Sequence, residues 1–149
     1  VSVDMVAVKG RMERGFYDHE ELERAFRFMK QFDIRYGKGA RPYSNDDLLR
    51  ECIKMTLIVR DLMIGNPRLA DPAVAKAQGF KADVQYAQGH NAIAAGTQGQ
   101  RAWTDLYPNF DLTESILNSS FDWDGWRPPF IVATEAKGLG ICVTFEAVL

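Results

Sequence analysis

The stretch Asn91-Ala-Ile-Ala-Ala95, bounded by Gly89 and Gly96, is the apolar run on which the fold prediction rests. Polar and apolar residues do not alternate in it, so it predicts a strand that is buried on both faces. A second run, Phe130-Ile-Val-Ala-Thr134, predicts another buried strand of the same kind. Such strands are typical of parallel sheets whose faces are covered by helices.

A helix with a clear start signal lies well upstream of these strands. Asp18 followed three residues later by Glu21 predicts an N-cap with a capping box. The apolar residues that follow recur at helical spacing and predict one buried face, formed by Leu22, Phe26, Met29 and Phe32. The His19 imidazole, in the first turn of this helix, is interpreted as a solvated side chain.

A second, longer helix is predicted from the N-cap Ser44 to about Ile64, where Gly65-Asn66-Pro67 ends it. Its apolar surface is wide, which indicates burial on more than one side. The polar residues form only a narrow stripe, which consists of Arg50, Glu51, Lys54 and Asp61.

The remaining elements are shorter. Residues 1–4 predict a strand and the residues up to Gly15 a helical stretch, whereas residues 35–42 and 65–89 are interpreted as loop-rich. Asp111 with Glu114 predicts another N-cap for a helix over 112–119, and residues 138–149 predict a final helix. Strands that alternate with helices predict a single α/β domain over residues 1–149, with a three-layer, mainly parallel, Rossmann-like sheet flanked by helices.

Composition excludes several functional classes. The 149 residues carry a formal net charge of −2, which argues against a nucleic-acid partner held mainly through phosphate contacts. No apolar run approaches the roughly 18 residues of a membrane span, and the first residues lack the pattern of a secretory signal. Cys52 and Cys142 lie outside any metal or redox spacing, so two buried free thiols and a cytoplasmic location are the simplest interpretation.

Two polar segments directly follow the predicted buried strands, where ligands bind in open parallel sheets. Glu135 follows the second strand, and its carboxylate could ligate a divalent cation or move a proton, or merely accept N–H groups of a following helix. The segment 96–101 follows the first strand. There Gln98, Gln100 and Arg101 could bind a polyhydroxylated or anionic ligand, or the segment could be a self-satisfied turn.

Other candidates are weaker. His90 lies beside a glycine before the first strand and is a candidate site residue, although a structural role is the simpler interpretation. Trp103, Trp123 and Trp126 could stack on sugar faces or pack in a core or interface. The Gly138-Leu-Gly140 pair lacks the third glycine of a dinucleotide fingerprint, because Val143 occupies that position.

With these segments in view, the chain resembles the L-fucose isomerase family. The resemblance is dense over about 45 residues and looser upstream, at Val3-Asp4-Met5, Arg60-Asp61 and Gly65-Asn66. The segments that carry it most densely are Asn91-Ala-Ile-Ala-Ala-Gly-Thr-Gln-Gly-Gln-Arg101, Trp103-Thr-Asp105, Tyr107-Pro-Asn109, Leu117-Asn-Ser-Ser-Phe-Asp-Trp123 and Pro129-Phe-Ile-Val-Ala-Thr-Glu135.

The resemblance implies the middle, second α/β domain of a hexameric, Mn²⁺-dependent aldose–ketose isomerase. Such enzymes interconvert L-fucose with L-fuculose, and D-arabinose with D-ribulose, through a cis-enediol. It also implies that Glu135 is a metal ligand and an acid/base group, and that Gln98 contacts the sugar. The remaining metal ligands are implied to come from other domains of the same enzyme.

Departures from the family pattern qualify these expectations. Ala136-Lys-Gly-Leu-Gly-Ile141 replaces a pattern like Asn-Asp-Ser-Leu-Asn-Gly, and Thr97 replaces an aromatic residue. Since the second catalytic carboxylate and the metal-binding histidine of the family come later in the chain, the 149 residues alone are expected to be inactive. The alternative is a non-catalytic sugar-binding or assembly domain with the same fold.

Overall fold

The computed structural model describes residues 1–36, 44–98 and 107–133. Its described elements form a parallel sheet flanked by helices, which confirms the predicted α/β class and is consistent with three layers. In chain order they are β1 (Ser2–Asp4), α1 (Met5–Glu13), α2 (His19–Met29), α3 (Asn45–Ile64), a 3₁₀ helix (Pro67–Ala70), α4 (Pro72–Gln78), α5 (Val84–Ala87), β2 (Ala94–Gln98), α6 (Asp111–Leu117), β3 (Phe121–Asp122), β4 (Gly125–Trp126) and β5 (Ile131–Ala133). The helix predicted over 138–149 lies outside the described residues.

The parallel sheet has the strand order β1-β2-β5 within the described ranges, and β3 with β4 forms a separate antiparallel hairpin. Asp4 is the register partner of Gln98, and Gly96 is the register partner of Ala133. One face of the sheet is buried throughout, because successive side chains of a strand point to opposite faces and this face meets the helices. It is formed by Val3, Ala95, Thr97 and Val132.

β2 begins three residues later than predicted and extends past the predicted strand end. The N–H groups of His90 and Ala92 donate to the Leu62 and Met63 carbonyls at 2.9 Å, so this segment is held against the end of α3 instead of in the sheet. The prediction that Gly96, Thr97 and Gln98 follow the strand as a loop is therefore wrong. The Gly96 N–H donates to the Val1 carbonyl at 3.0 Å and belongs to the ladder.

α3 is the central helix, as its wide apolar surface predicts. Ser44 caps it by accepting the N–H of Asp47 at 3.1 Å, and Gly65 ends it, both as predicted. Asp61, which the sequence places in the narrow polar stripe, is buried in the structure and only 1% exposed. A buried carboxylate requires local partners, and Arg60 and Asn66 both donate to this one.

The starts and ends of two other helices test the capping predictions. Asp18 caps α2 by accepting the N–H groups of Glu20 and Glu21, as predicted. That helix ends at Met29, so the predicted inward position of Phe32 is wrong and this ring is 55% exposed. The prediction that Asp111 is an N-cap is wrong. α6 begins at Asp111 itself after a buried Phe110, with no side-chain cap.

The segment 65–89 was predicted to be loop-rich, but it contains the 3₁₀ helix, α4 and α5. Each begins after an Asx cap whose side-chain oxygen accepts a backbone N–H, at Asn66, Asp71 and Asp83. Helices of four to seven residues are too short to show apolar periodicity, which explains why only the caps signal them. Within the described ranges, no helix is long and apolar enough to span a membrane.

Candidate active site at the carboxyl edge of the sheet

The candidate site is the edge of the sheet at which the parallel strands reach their carboxyl ends. Gln98 is the last residue of β2, and its register partner Asp4 is the last residue of β1. β5 ends in the described structure at Ala133, which pairs with Gly96. Gln98 follows Gly96 by two residues and Glu135 follows Ala133 by two. In sequence, Gln98 and Glu135 therefore each follow a member of the Gly96–Ala133 register pair by two residues.

Not all predicted site residues are described. The structure places the backbone of Gln98 at the carboxyl edge of the sheet. Glu135, Gln100 and Arg101 lie outside the described residues. Whether the carboxylate of Glu135 and the amide of Gln98 meet at one site stays a prediction, which the register of β2 and β5 supports but does not test.

Asp4 is a residue of this edge that was not predicted as a site residue. Its side chain is exposed, and its Oδ1 accepts the N–H of Val6 at 2.8 Å, which caps α1. A polar residue directly after an apolar strand position was the signal that could have identified it. The sequence alone does not supply the second signal, which is the register that places Asp4 beside Gln98.

The described residues do not by themselves supply a metal site. Over residues 1–36, 44–98 and 107–133, no group of three or more His, Cys, Asp or Glu side chains is arranged to hold a metal ion. Because hard divalent cations need several oxygen ligands, a cation at this edge would need donors from beyond the described ranges, where the predicted ligand Glu135 lies.

A buried ion network lies at the carboxyl end of α3, close to the residues that lead into the amino end of β2. Arg60 donates from Nη1 and Nη2 to both carboxylate oxygens of Glu21, the second at 2.8 Å, and from Nη2 to Asp61 at 2.8 Å. Asn66 donates to Asp61 at 3.1 Å, and the Trp123 indole donates to Glu21 at 2.9 Å. The network joins α2, α3 and the β3–β4 hairpin.

Burial and pairing act in opposite directions on these carboxylates. Burial works to raise the pKa of Glu21, but the hydrogen bonds from Arg60 and Trp123 outweigh it and lower that pKa. At Asp61, which is more deeply buried, desolvation prevails and the pKa is raised. Since every carboxylate here is engaged and the network lies away from the carboxyl edge, we assign it a structural role.

The remaining candidates are dispersed. His19 is half-buried instead of solvated, with its ring 4.5 Å from that of Tyr17 and its Nε2 2.8 Å from the Gly15 carbonyl. His90 is exposed near the end of α3. Trp126 is 75% exposed, and Trp103 lies outside the described residues.

The cysteine prediction is tested at one of its two positions. Cys52 is a buried free thiol, as predicted, and burial raises its pKa to about 11. A thiol with so high a pKa is protonated at neutral pH and is a poor nucleophile or metal ligand. Cys142 lies outside the described residues.

Comparison with known proteins adds independent evidence. Residues 1–149 match the family model described as L-fucose isomerase, second N-terminal domain. The chain is 44% identical over 144 residues to L-fucose isomerase of Haemophilus influenzae, a match that covers 92% of this chain and 23% of that protein. It is 46% identical over 158 residues to L-fucose isomerase of Bacteroides thetaiotaomicron, covering 99% of this chain and 25% of that protein. The chain spans about a quarter of the length of the curated relatives it matches.

Proposed function

The chain belongs to the L-fucose isomerase family, through the model of its second N-terminal domain, and from that premise we propose that it contributes Glu135 and Gln98 to a composite aldose–ketose isomerase site. The observation that carries the proposal is the parallel pairing of β2 with β5. Gly96 opposes Ala133, so the two strand ends that lead to Gln98 and Glu135 share the carboxyl edge of the sheet.

The proposed reaction moves a proton between C1 and C2 of the sugar through a cis-enediol. The carboxylate of Glu135 takes up or returns that proton, and a second carboxylate from outside this chain serves the other side of the substrate. The amide of Gln98 donates to or accepts from a sugar hydroxyl and orients the reacting carbons. Substrate orientation of this kind supplies a large part of an enzyme's rate enhancement.

We propose Mn²⁺ as the cofactor, held by Glu135 and by ligands outside this chain. Carboxylate oxygen is a donor that such cations accept, and the bound ion would stabilise the negative charge that develops on the substrate oxygen. The name of the relatives supports L-fucose as substrate, with L-fuculose as product. D-Arabinose with D-ribulose, a hexameric assembly and a cytoplasmic location are further parts of the proposal.

The test of the site is a substitution in the full-length isomerase that contains this chain. Glu135→Gln removes the proton-transfer group while preserving side-chain size, so we expect loss of turnover of L-fucose with an unchanged melting temperature. Glu13→Gln, on the exposed face of α1, is the matched control and should retain activity. Near-normal turnover by Glu135→Gln would overturn the assignment.

Gln98 is tested separately, because its role is binding and not proton transfer. Gln98→Ala should raise KM for L-fucose, whereas Gln31→Ala, an exposed glutamine just after α2, should leave KM unchanged. An unaltered KM in Gln98→Ala, in a folded protein, would show that this amide does not contact the sugar.

The non-catalytic alternative is a sugar-binding or assembly domain, and one observation favours it. Trp126 is 75% exposed beside a cleft of about 400 Å³ near the end of α3, and an exposed indole can stack on a sugar face. Calorimetry of L-fucose with the purified 149-residue chain in the presence of a metal chelator distinguishes the two. Binding that Trp126→Ala abolishes favours the alternative, and no binding favours the composite site.

A further inference from the structure

A cavity of about 290 Å³ lies among α1, α5 and the carboxyl end of α3. The described residues that line it include no carboxylate. Its lining comes mainly from Arg11, Gln85, Tyr86 and His90, with Ala7 and Leu62 as apolar members. We call it the Arg11 cavity.

Arg11 is unusual because it is a buried cation with an unsatisfied donor. It is 3% exposed, and its Nη2 donates to the Tyr86 carbonyl at 2.7 Å. Its guanidinium lies 5.2 Å from the ring centre of Phe16 and 5.8 Å from that of Tyr86. Its Nη1 is buried and has no hydrogen-bond partner in the described part of the molecule. Buried polar groups normally find partners, so an atom without one points to a ligand or ordered solvent.

The carboxylates that act electrostatically on Arg11 are already engaged by other groups. Asp61 accepts from Arg60 and from Asn66. Asp83 accepts the N–H of Tyr86 at 3.0 Å and thereby caps α5. Arg14 adds positive charge beside the Arg11 cavity. Its guanidinium lies 5.2 Å from the ring centre of Tyr86, which lines that cavity.

His90 is the second candidate donor and sits on a fixed backbone. Its N–H donates to the Leu62 carbonyl at 2.9 Å and to the Met63 carbonyl at 3.1 Å. Gly89, just before it, has a positive φ of 68° and lies against the backbone of Gly65. The exposed imidazole is therefore presented from a rigid segment, as a ligand-binding side chain requires.

We propose that the Arg11 cavity binds a small oxyanion, a phosphate or carboxylate group, through Arg11 Nη1 and the His90 imidazole. A guanidinium forms its strongest hydrogen bonds with oxyanions, and the Gln85 amide can provide a further donor. This proposal does not depend on the proposed sugar site, because it rests on Arg11, Gln85 and His90 and not on Gln98 or Glu135.

The experiment follows the imidazole NMR signals during titration of the purified protein, at constant pH and ionic strength, with inorganic phosphate and separately with sodium acetate. The 149 residues contain two histidines, so His19, which stacks on Tyr17 in the first turn of α2, is a control within the molecule. We expect a saturable shift of the His90 signal and none of the His19 signal. Saturation by phosphate alone identifies a phosphoryl ligand, and saturation by acetate identifies a carboxylate.

Arg11→Lys keeps the charge but removes the second guanidinium nitrogen, and we expect it to weaken binding about tenfold or more, as for loss of one charge-assisted hydrogen bond. If that variant does not fold, His90→Gln is tested by calorimetry against His19→Gln, which should bind normally. Absence of a saturable His90 shift would overturn the proposal. So would equal shifts of both histidines, or unaltered binding in the folded Arg11→Lys or His90→Gln protein.

Discussion

Gly65 and Gly89 meet backbone to backbone where the end of α3 passes the segment that leads into β2. A Cβ on Gly89 would lie 2.2 Å from the Gly65 nitrogen, and a Cβ on Gly65 would lie 2.3 Å from the Gln88 carbonyl oxygen. Both residues have positive φ, 81° at Gly65 and 68° at Gly89. Only glycine therefore fits at these two positions, where the two backbone segments cross. This crossing fixes the position of the segment that leads into β2.

Gly89→Ala should destabilise the fold strongly. Gly79→Ala is the matched control, because Gly79 has a φ of 80° but no heavy atom within 4 Å of the added Cβ. We expect Gly79→Ala to cost roughly 1–2 kcal/mol from backbone strain alone, and Gly89→Ala to cost roughly 2 kcal/mol more because of the steric overlap. Urea unfolding of the two variants measures the difference, and equal losses would show that the crossing can relax.

Glu21→Gln should destabilise the protein by about 3 kcal/mol, because it leaves part of the buried Arg60 charge uncompensated. Glu23→Gln is the control on the same helix, since Glu23 pairs with Arg50 at 3.2 Å on the surface. The side chains of that pair are 33% and 46% exposed, against 16% and 7% for Arg60 and Glu21. Its loss should cost less than about 1 kcal/mol. Unfolding free energies that fell equally would contradict a structural role for the Arg60 network.

Stability should decrease as the pH falls below about 4.5, near the ordinary pKa of glutamate. At Asp18 burial works to raise the pKa, but hydrogen bonds from Arg68, Gln78 and the backbone prevail and lower it. The pKa of Glu21 is lowered in the same way. A folded-state pKa below the unfolded value stabilises the fold while the group is ionised, and this contribution is lost on acidification.

Asp61 works against that trend, because burial raises its pKa and the folded form gains stability on protonation. We expect the combined effect of Asp18 and Glu21 to prevail. Unfolding free energies between about pH 6 and about pH 3 measure it, and Asp18→Asn should give a shallower acid-side slope. An unchanged slope in that variant would be incompatible with a lowered Asp18 pKa.

Thr97→Val should be neutral or stabilise by up to about 1 kcal/mol. Thr97 is fully buried, and its hydroxyl has no hydrogen-bond partner in the described structure. The control is Thr56→Val, since the Thr56 hydroxyl donates to the Cys52 carbonyl at 2.9 Å and lies 3.1 Å from the Thr113 hydroxyl. That substitution should cost about 1 kcal/mol. Thermal unfolding of both variants checks the sign, and a destabilised Thr97→Val would indicate a hidden partner.

Local signals in the sequence were sufficient for the larger elements. The Ser44 cap, the apolar surface of α3 and the glycine that follows it predict that helix to within one residue, because its start, length and end each have their own chemistry. The Asp18 cap predicts the start of α2 for the same reason. The family could also be predicted, because the segments around Gln98 and Glu135 carry a specific pattern, and the match to the family model confirms the predicted family.

Packing and backbone contacts decided the rest. Asp61 belongs to the polar stripe by periodicity alone, yet the packing of Arg60 and Asn66 around it makes a buried carboxylate tolerable. The start of β2 depends on carbonyls at the end of α3, some thirty residues away in sequence. Phe32 is exposed because its helix stops at Met29, before the apolar face would reach that ring.

The candidate site shows the same division. The sequence by itself predicted Glu135 and Gln98 as the site residues, since carboxylate and amide identity and their place after apolar runs are local properties of the chain. Only the tertiary structure decided that β2 lies between β1 and β5 and in which register, so that Asp4 lies beside Gln98 and Ala133 beside Gly96. Strand register is set by hydrogen bonds between distant segments and by the face each strand buries, and a linear sequence does not encode either one locally.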